Sequence, residues 1–388
     1  MVVGGGIIGC CLAYCLARAG RRVVLLERDA IAGATSGCCM GHLMVVPEPG
    51  PMLSLTLAGV RLWKDFHAEL GGFELNARGA LWLAETAADI ELLEQVDATL
   101  REAGVQGQQL RNGAIRELEP GLAEDLPAAF LLPEDGVLMP MLAAGAVLRA
   151  AIELGADVRP FTPARGVERD RDGAIDAVLT DQGAIATPTL IIAAGVWSPE
   201  VAAWAGLPDL AMRPRRGDLA ITMPRETPVQ HQLLEVGYLR TTGAASGGVG
   251  ASGPDPGAHA VNVQPQTHGT CLIGSTRQFA GFARDVSSDL LQRSLQRAAR
   301  FVPGLGGARI TRTWAGLRPY SADKRPLIGR VTAVPGLWLC TGHEGLGITL
   351  AGISAKVVTE QLLGAEPSVP VEAFAPDRFA VAPGAQDA

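Results

Sequence analysis

The period of the apolar residues changes several times along the chain, and each change marks an element. Val2 and Val3 lead into glycines, after which Ile8, Cys11, Leu12, Cys15 and Leu16 recur at three- and four-residue spacing. That spacing predicts a helix over 10–19, stopped by Gly20, and the apolar run 23–26 predicts a buried strand. Helical spacing returns over 51–70, where Leu53, Leu57, Val60, Leu62, Trp63 and Phe66 share a face, over 140–154 before Gly155, and over 348–363. A charged surface helix is expected over 87–103 and an amphipathic one over 289–301. Strands are expected at 79–84 and from Val158 onward. The run 189–195, ending in small residues, suits a central parallel strand, and Trp197-Ser198-Pro199 then opens a helix.

Between 213 and 312 the alternation of strand and helix is lost. Short strands at 218–223, 235–239, 260–264 and 271–275 alternate with turns, which predicts a mainly antiparallel sheet in a separate domain. Residues 170–173 and 181–183 carry hairpin chemistry, and 117–120 reads as a turn. The stretch 241–257, rich in Gly, Ala, Ser and Pro, reads as a mobile loop within one hairpin. A short strand is expected at 337–341, and the Pro-rich tail from Ala365 is expected to be extended.

Composition narrows the class. With 388 residues the chain can bury a large core, and two joined domains are expected. Hydrophobic residues make up 48% but are spread evenly, and no apolar run reaches the roughly 20 residues that span a bilayer. The net charge of −7, without a basic patch, argues against nucleic acid as a partner. The seven cysteines (Cys10, Cys11, Cys15, Cys38, Cys39, Cys271, Cys340) are odd in number and include no Cys-x-x-Cys pair. They read as reduced thiols of a cytoplasmic protein, with no metal site.

The candidate chemistry lies in the glycines. Gly4, Gly6 and Gly9 form G-x-G-x-x-G between a strand and a helix, and Glu27 closes the next strand. Gly4 permits the tight turn, Gly6 lets a pyrophosphate approach the backbone, and Gly9 lets the helix pack on the sheet. The phosphates would sit at the positive end of the helix dipole, with Glu27 on a ribose. The first strand has only three residues before Gly4, which leads us to expect that the native chain begins earlier. A second Gly-rich turn, Gly342-His343-Glu344-Gly345-Leu346-Gly347, opens the last helix. A nicotinamide enzyme needs only the first turn. A flavoprotein uses the second to aim a helix N-terminus at the electron-rich edge of its reduced ring.

The chain resembles the D-amino acid oxidase-like superfamily of flavoenzymes, the group of glycine oxidase, sarcosine oxidase and D-hydroxyproline dehydrogenase. The resemblance covers nearly the whole chain. It rests on the first glycines with Glu27, on the small-residue loop 35–42, on 190–198, on Trp314-Ala315-Gly316-Leu317-Arg318-Pro319 with Pro326-Leu327-Ile328-Gly329, and on the second turn. Met40-Gly41-His42-Leu43, Val261-Asn262-Val263-Gln264-Pro265 and Ile273-Gly274-Ser275-Thr276-Arg277-Gln278 look most like oxidoreductases of cyclic D-amino acids, in particular cis-4-hydroxy-D-proline.

The resemblance implies an α/β chain with a discontinuous Rossmann-like FAD-binding domain (1–80, 140–212, 313–365). It also implies an α+β substrate domain with a mainly antiparallel sheet (81–139, 213–312), followed by an extended tail (366–388). It implies non-covalent FAD contacted by Gly4, Gly6, Ile7, Ile8, Gly9, Glu27, Arg28, Thr35, Ser36, Gly41, His42, Leu43 and Val167. Further contacts are implied for Ala194, Gly195, Trp197, Gly342, His343, Gly345, Leu346, Gly347 and Ile348. Arg318 matches the arginine that pairs with a substrate carboxylate, as a planar guanidinium does through two parallel hydrogen bonds. Tyr238 falls where glycine oxidase-like members place an active-site tyrosine. The second arginine of glycine oxidase is replaced here by Gly345, so the substrate grip differs, and Glu344 can meet a substrate amine or hydroxyl. His42 faces the flavin region. Cys340 lies inside its strand, unlike the flavin-bearing cysteine of monomeric sarcosine oxidase. The implied reaction is oxidation of a D-amino or secondary amino acid to its imine by hydride transfer to flavin N5, without a side-chain base. Three rival readings stay open: a nicotinamide dehydrogenase, the flavin subunit of a heteromeric complex, and a non-catalytic nucleotide-binding module. A quinone, a protein or oxygen as electron acceptor, and homo- or hetero-oligomeric assembly, are equally open.

Overall fold

Val2–Val3 lies at the centre of a six-stranded sheet. The order is Leu327–Arg330, Leu337–Thr341, Leu190–Ile192, Val2–Val3, Val24–Leu26, Asp157–Arg159. This computed structural model describes residues 1–224, 229–237, 239 and 258–379. All pairings in the sheet are parallel except the first. Val2 stands opposite both Ile191 and Leu25, so segments far apart in sequence meet at the first strand. Parallel strands need cover on both faces, and the inner strands Val2–Val3, Val24–Leu26 and Leu190–Ile192 are accordingly apolar. Helices Ile7–Arg18, Pro140–Glu153 and Gly347–Leu362 pack together on one face around Leu12, Val147 and Leu350, each fully buried. Burying one such side chain stabilises by about 1.5–3 kcal/mol. The other face carries helix Ser198–Trp204 and an antiparallel meander, Ala164–Arg169, Ile175–Thr180 and Gly183–Ala186. The predicted turn at Asp170 forms as expected: its carboxylate accepts the N–H groups of Asp172 and Ala174, each at 2.9 Å.

The second sheet has eight strands in the order Ile310–Ser321, Met212–Thr222, Cys271–Arg277, Ala258–Pro265, Gln232–Glu235, Ala80–Ala84, Ala128–Leu132, Gln108–Arg111. Only Gln232–Glu235 with Ala80–Ala84 is parallel. Helix Ser288–Phe301 covers its outer face, where Val261, Val263 and Ile273 pack with Ala298 and Phe301. The inner face looks toward the first sheet. Ile310–Ser321 belongs to this second sheet, so the expected domain boundary at 312/313 falls within one strand.

Several expectations need correction. The first helix starts at Ile7, three residues early, because the glycine turn needs no further residues before the helix begins. The strand next to the edge is Met212–Thr222, and its start at Arg213-Pro214-Arg215-Arg216 carries too much charge to read as a strand from sequence. The strand expected at 235–239 lies at Gln232–Glu235, and a short helix, Gly113–Leu118, precedes the 117–120 turn. Helix Ala87–Glu102 is not only a surface helix: it buries Leu93, Val96 and Leu100, together with Asp89 and Asp97. The tail is not extended as far as it is described, to Phe379: 3-10 turns at Glu372–Phe374 and Pro376–Phe379 fold back, Phe374 enters the main core, and Arg378 clamps Asp323 at 2.7 and 3.0 Å. Tyr238 and the 241–257 loop lie outside the described residues.

One buried carboxyl gives a test of this core. Asp135 is fully buried and accepts the Val45 N–H at 2.8 Å. Burial pushes it up to about 8, against the pull of the Val45 amide and the Trp82 indole. The folded chain therefore keeps a proton that the unfolded chain releases near the ordinary carboxyl value of 3.8, and stability is lost as pH rises from there toward 8. Asp135→Asn removes this dependence. It is expected to gain on the wild type by up to about 1.4 kcal/mol per pH unit in that window. Urea unfolding of both proteins at pH 5 and pH 8 checks this, and a pH-independent gap refutes it.

Candidate active site

The two glycine turns face one cavity between the sheets. Gly4, Gly6, Ile7 and Ile8 line it from one end of the chain, and His343, Glu344, Gly345, Gly347 and Ile348 from the other. Gly4 adopts φ +111°, and a Cβ there would meet the Ala193 carbonyl oxygen at 2.5 Å. A Cβ on Gly9 would stand 1.8 Å from the Gly4 oxygen, so Gly9 serves the packing of helix on turn. Helix Ile7–Arg18 directs its N-terminus at the cavity, with Ser36 Oγ accepting the Ile7 N–H at 3.0 Å. Glu27 binds the N–H groups of Gly5 at 2.7 Å and Asp29 at 2.8 Å, which holds its carboxylate at the rim. Arg28 stacks on the Trp197 ring, 3.9 Å from its centroid, and Ala194, Gly195 and Trp197 complete this end.

The loop 34–42 forms the shared wall. Thr35 donates to the Leu317 carbonyl at 2.7 Å, and the Trp314 indole to the Cys38 carbonyl at 3.2 Å, tying the first domain to the substrate sheet. Gly41 is held at φ +88°, where a Cβ would meet the Leu138 oxygen at 2.0 Å. Thr349, in the first turn of the last helix, donates to the His42 carbonyl at 3.1 Å and accepts the Met44 N–H at 3.0 Å. His42 Nε2 has no hydrogen-bond partner among the described residues. Burial, helped by the Arg318 charge, pushes His42 down to about 3, so the ring is neutral at physiological pH. Burial alone does the same to His343, whose Nε2 pairs with Ser354 Oγ at 3.0 Å.

Arg318 enters from the long edge strand. It lies opposite Arg215 in the register and donates to the Thr276 carbonyl at 3.1 Å. Its guanidinium rests on Gly217, where a Cβ would come within 2.4 Å of both terminal nitrogens. Glu344 faces it. Burial raises the Glu344 carboxyl, but Arg318, Arg215 and Arg277 outweigh that and hold it below the usual carboxylate range. Arg215 reaches Glu344 at 3.4 Å. The Glu344 backbone sits at φ +48°, a left-handed conformation that a non-glycine residue adopts at a cost.

Most residues singled out from the sequence therefore line one cavity. Leu43 instead points into the main core, and Val167 packs in the meander, where Ala164 and Arg165 touch the cavity. Leu346 packs against the core, and Gly342 faces Ser321 and Leu327. For Leu43 the reason is strand alternation, which sends the neighbour of the lining His42 the other way. Met40, Gly217, Leu219, Asn262 and Ser275 line the cavity and were not singled out. Met40, Asn262 and Ser275 lie inside the family-like motifs quoted above, whereas Gly217 and Leu219 carried no such signal.

Gly217→Ala separates fold from site. The clash falls on the free end of a flexible side chain, so the fold and the yellow cofactor should survive, while the guanidinium must move. We expect the KM for an amino acid to rise about tenfold or more with the melting temperature within a few degrees of wild type. Steady-state kinetics beside a thermal melt decides it, and an unchanged KM counts against the Gly217 seat.

The residues fit FAD. Two helix N-termini converge on one cavity, glycines at Gly4 and Gly6 admit a pyrophosphate, and an unpartnered His42 nitrogen faces the far end. A family model described as FAD dependent oxidoreductase matches residues 1–361. The chain is 29% identical over 388 residues to the bifunctional protein ThiO/ThiG of Synechocystis sp., covering 98% of this chain and 54% of the relative. It thus spans about half the length of that relative. It is 28% identical over 368 residues to glycine oxidase of Geobacillus kaustophilus, covering 92% of this chain and 91% of the relative. The crystal structure of glycine oxidase from Geobacillus kaustophilus superimposes with a TM-score of 0.84 at 25% identity, covering 98% of each chain.

Proposed function

The chain belongs to the family of FAD-dependent oxidoreductases, and from that premise we propose that it oxidises the amine of a small D-amino or secondary amino acid to its imine. Its FAD dependence displaces the nicotinamide reading. When bound, the flavin supplies the two-electron acceptor. The observation that carries the substrate class is Arg318: a guanidinium seated on Gly217 at the cavity wall, opposite the helix starts that receive the cofactor. It clamps a carboxylate and thereby fixes which face of the α-carbon is presented. His42, neutral and aimed into the same space, neither repels a substrate cation nor carries charge of its own. Glu344 stays ionised and draws the amine or a hydroxyl toward the second turn. The amine reacts as the free base: its nitrogen gives up a proton to water, and its lone pair forms the C=N bond as the α-hydrogen leaves with both electrons. Within this class we favour a cyclic substrate such as cis-4-hydroxy-D-proline.

FAD is held without a covalent bond in this reading. Cys340 is buried inside its strand and burial pushes its thiol well above the ordinary range, so it is a poor nucleophile. Seven free cysteines support a reducing compartment, the cytoplasm, and no helix among the described residues is long and apolar enough to cross a membrane. The deciding experiment mixes purified holoprotein anaerobically with D-, L- and N-substituted amino acids. Loss of the flavin absorbance is expected with at least one D- or secondary amino acid. A flavin that no amino acid bleaches removes the proposal, and re-oxidation by air, a quinone analogue or a co-purifying protein identifies the acceptor.

A further inference from the structure

Three side chains on the inner face of the eight-stranded sheet bury amide atoms that nothing satisfies. Asn262, Gln264 and Gln232 are 1, 2 and 1% exposed, and Asn262 Oδ1, Gln264 Oε1 and both Gln232 amide atoms have no hydrogen-bond partner among the described residues. Buried amides are normally paired, and each exception calls for a reason. Asn262 is the member of this row that lines the cavity. Its strand neighbours Val261 and Val263 point the other way, into the cluster under helix Ser288–Phe301, so the Asn262 side chain is on the cavity side.

Its distance from the carboxylate clamp follows from the register. Arg318 reaches the carbonyl of Thr276, while Asn262 stands opposite Gly274 on the adjacent strand. One strand across and two residues along separate the two points by about 8 Å, roughly the length of a small amino acid. Between them lie Met40 and Leu219, which fill the space over Gly274 and present an apolar floor to the carbon skeleton. A carboxylate at one end, an apolar middle and an unpaired acceptor at the other define what fits.

We propose that Asn262 is a specificity-determining residue, the acceptor for a hydroxyl that the substrate carries beyond its α-carbon. A second ammonium is disfavoured as the donor, because Arg215, Arg277 and Arg318 already set a positive field around Glu344. A hydroxyl brings a donor without charge, and an analogue lacking it leaves the amide oxygen unpaired. This inference rests on the amino-acid oxidase reading above for its substrate, but on the orphaned amide for its residue.

The test compares D-proline with the 4-hydroxy-D-prolines, and D-alanine with D-serine, in the wild type, Asn262→Leu and Asn262→Asp. The wild type is expected to favour the hydroxylated member of at least one pair by about tenfold or more in kcat/KM. Asn262→Leu should abolish that preference, lowering kcat/KM for the hydroxylated member about tenfold more than for the parent amino acid. Asn262→Asp keeps an acceptor and should keep the preference; it also guards against misfolding of the leucine variant. Calorimetry with tetrahydrofuran-2-carboxylate and its 4-hydroxy derivative, which cannot be oxidised at an amine, should show the same contrast in Kd. A leucine variant that loses both members equally, or retains the wild-type preference, overturns the proposal, as does a wild type indifferent to the hydroxyl. Should no amino acid reduce the flavin while calorimetry still shows an Asn262-dependent hydroxyl preference, the oxidase reading fails and the subsite stands.

Discussion

Arg318→Ala lowers kcat/KM for the amino-acid substrate by about 10²–10³-fold, with the flavin spectrum and the melting temperature close to wild type. The size follows from removing one partner of a hydrogen-bonded charge pair in a water-poor site, which costs about 2–5 kcal/mol. Losing the clamp also lets the α-carbon wander, so kcat falls along with the rise in KM. The fold tolerates the change because the side chain leaves through the cavity, where it lies on Gly217 and donates to the Thr276 carbonyl. Arg318→Lys keeps the charge but not the planar fork, and recovers only part of the activity. Kinetics on purified holoprotein measures this. If Arg318→Ala leaves kcat/KM within a factor of three, the carboxylate clamp lies elsewhere.

Gly9→Ala is expected to abolish flavin binding and to destabilise the protein by about 3–5 kcal/mol. The added Cβ would stand 1.8 Å from the Gly4 oxygen and 3.0 Å from its carbon. Both are backbone atoms of the turn that leads into the helix, so relief requires opening the phosphate site itself. Gly20→Ala is the control. That glycine ends the same helix at φ +74° with nothing within 4 Å of a Cβ, so it pays only the left-handed strain of about 1–2 kcal/mol. Flavin content by absorbance and unfolding in urea distinguish the two. A Gly9→Ala protein that binds flavin normally rules out the turn as the phosphate cradle.

The two glycines also show what was legible. Gly4, Gly6, Gly9 and Glu27 lie within 27 residues, and their roles depend on one turn and one helix dipole, so spacing alone exposes them. The helix over 51–70 was equally plain, since its apolar face is continuous. The tail was misread because Val371 and Phe374 are too few to form a pattern, and they are buried only through contact with the main core. The strand at Met212–Thr222 was cut short because Arg213, Arg215 and Arg216 look like surface, whereas Arg215 and Arg216 are buried against Glu344 and Asp218.

By itself the sequence determined the dinucleotide turn, the second helix start and the α/β class, and through resemblance it singled out Arg318 as the arginine we propose for a substrate carboxylate. These are local features, or motifs whose order survives without coordinates. Only the tertiary structure decided that Arg318 lies on Gly217, that Glu344 faces three arginines, and that Asn262, whose Oδ1 has no partner among the described residues, lines the cavity. Those facts depend on the pairing of segments up to 129 residues apart, and within the sheets a slip of one residue sends every side chain to the opposite face.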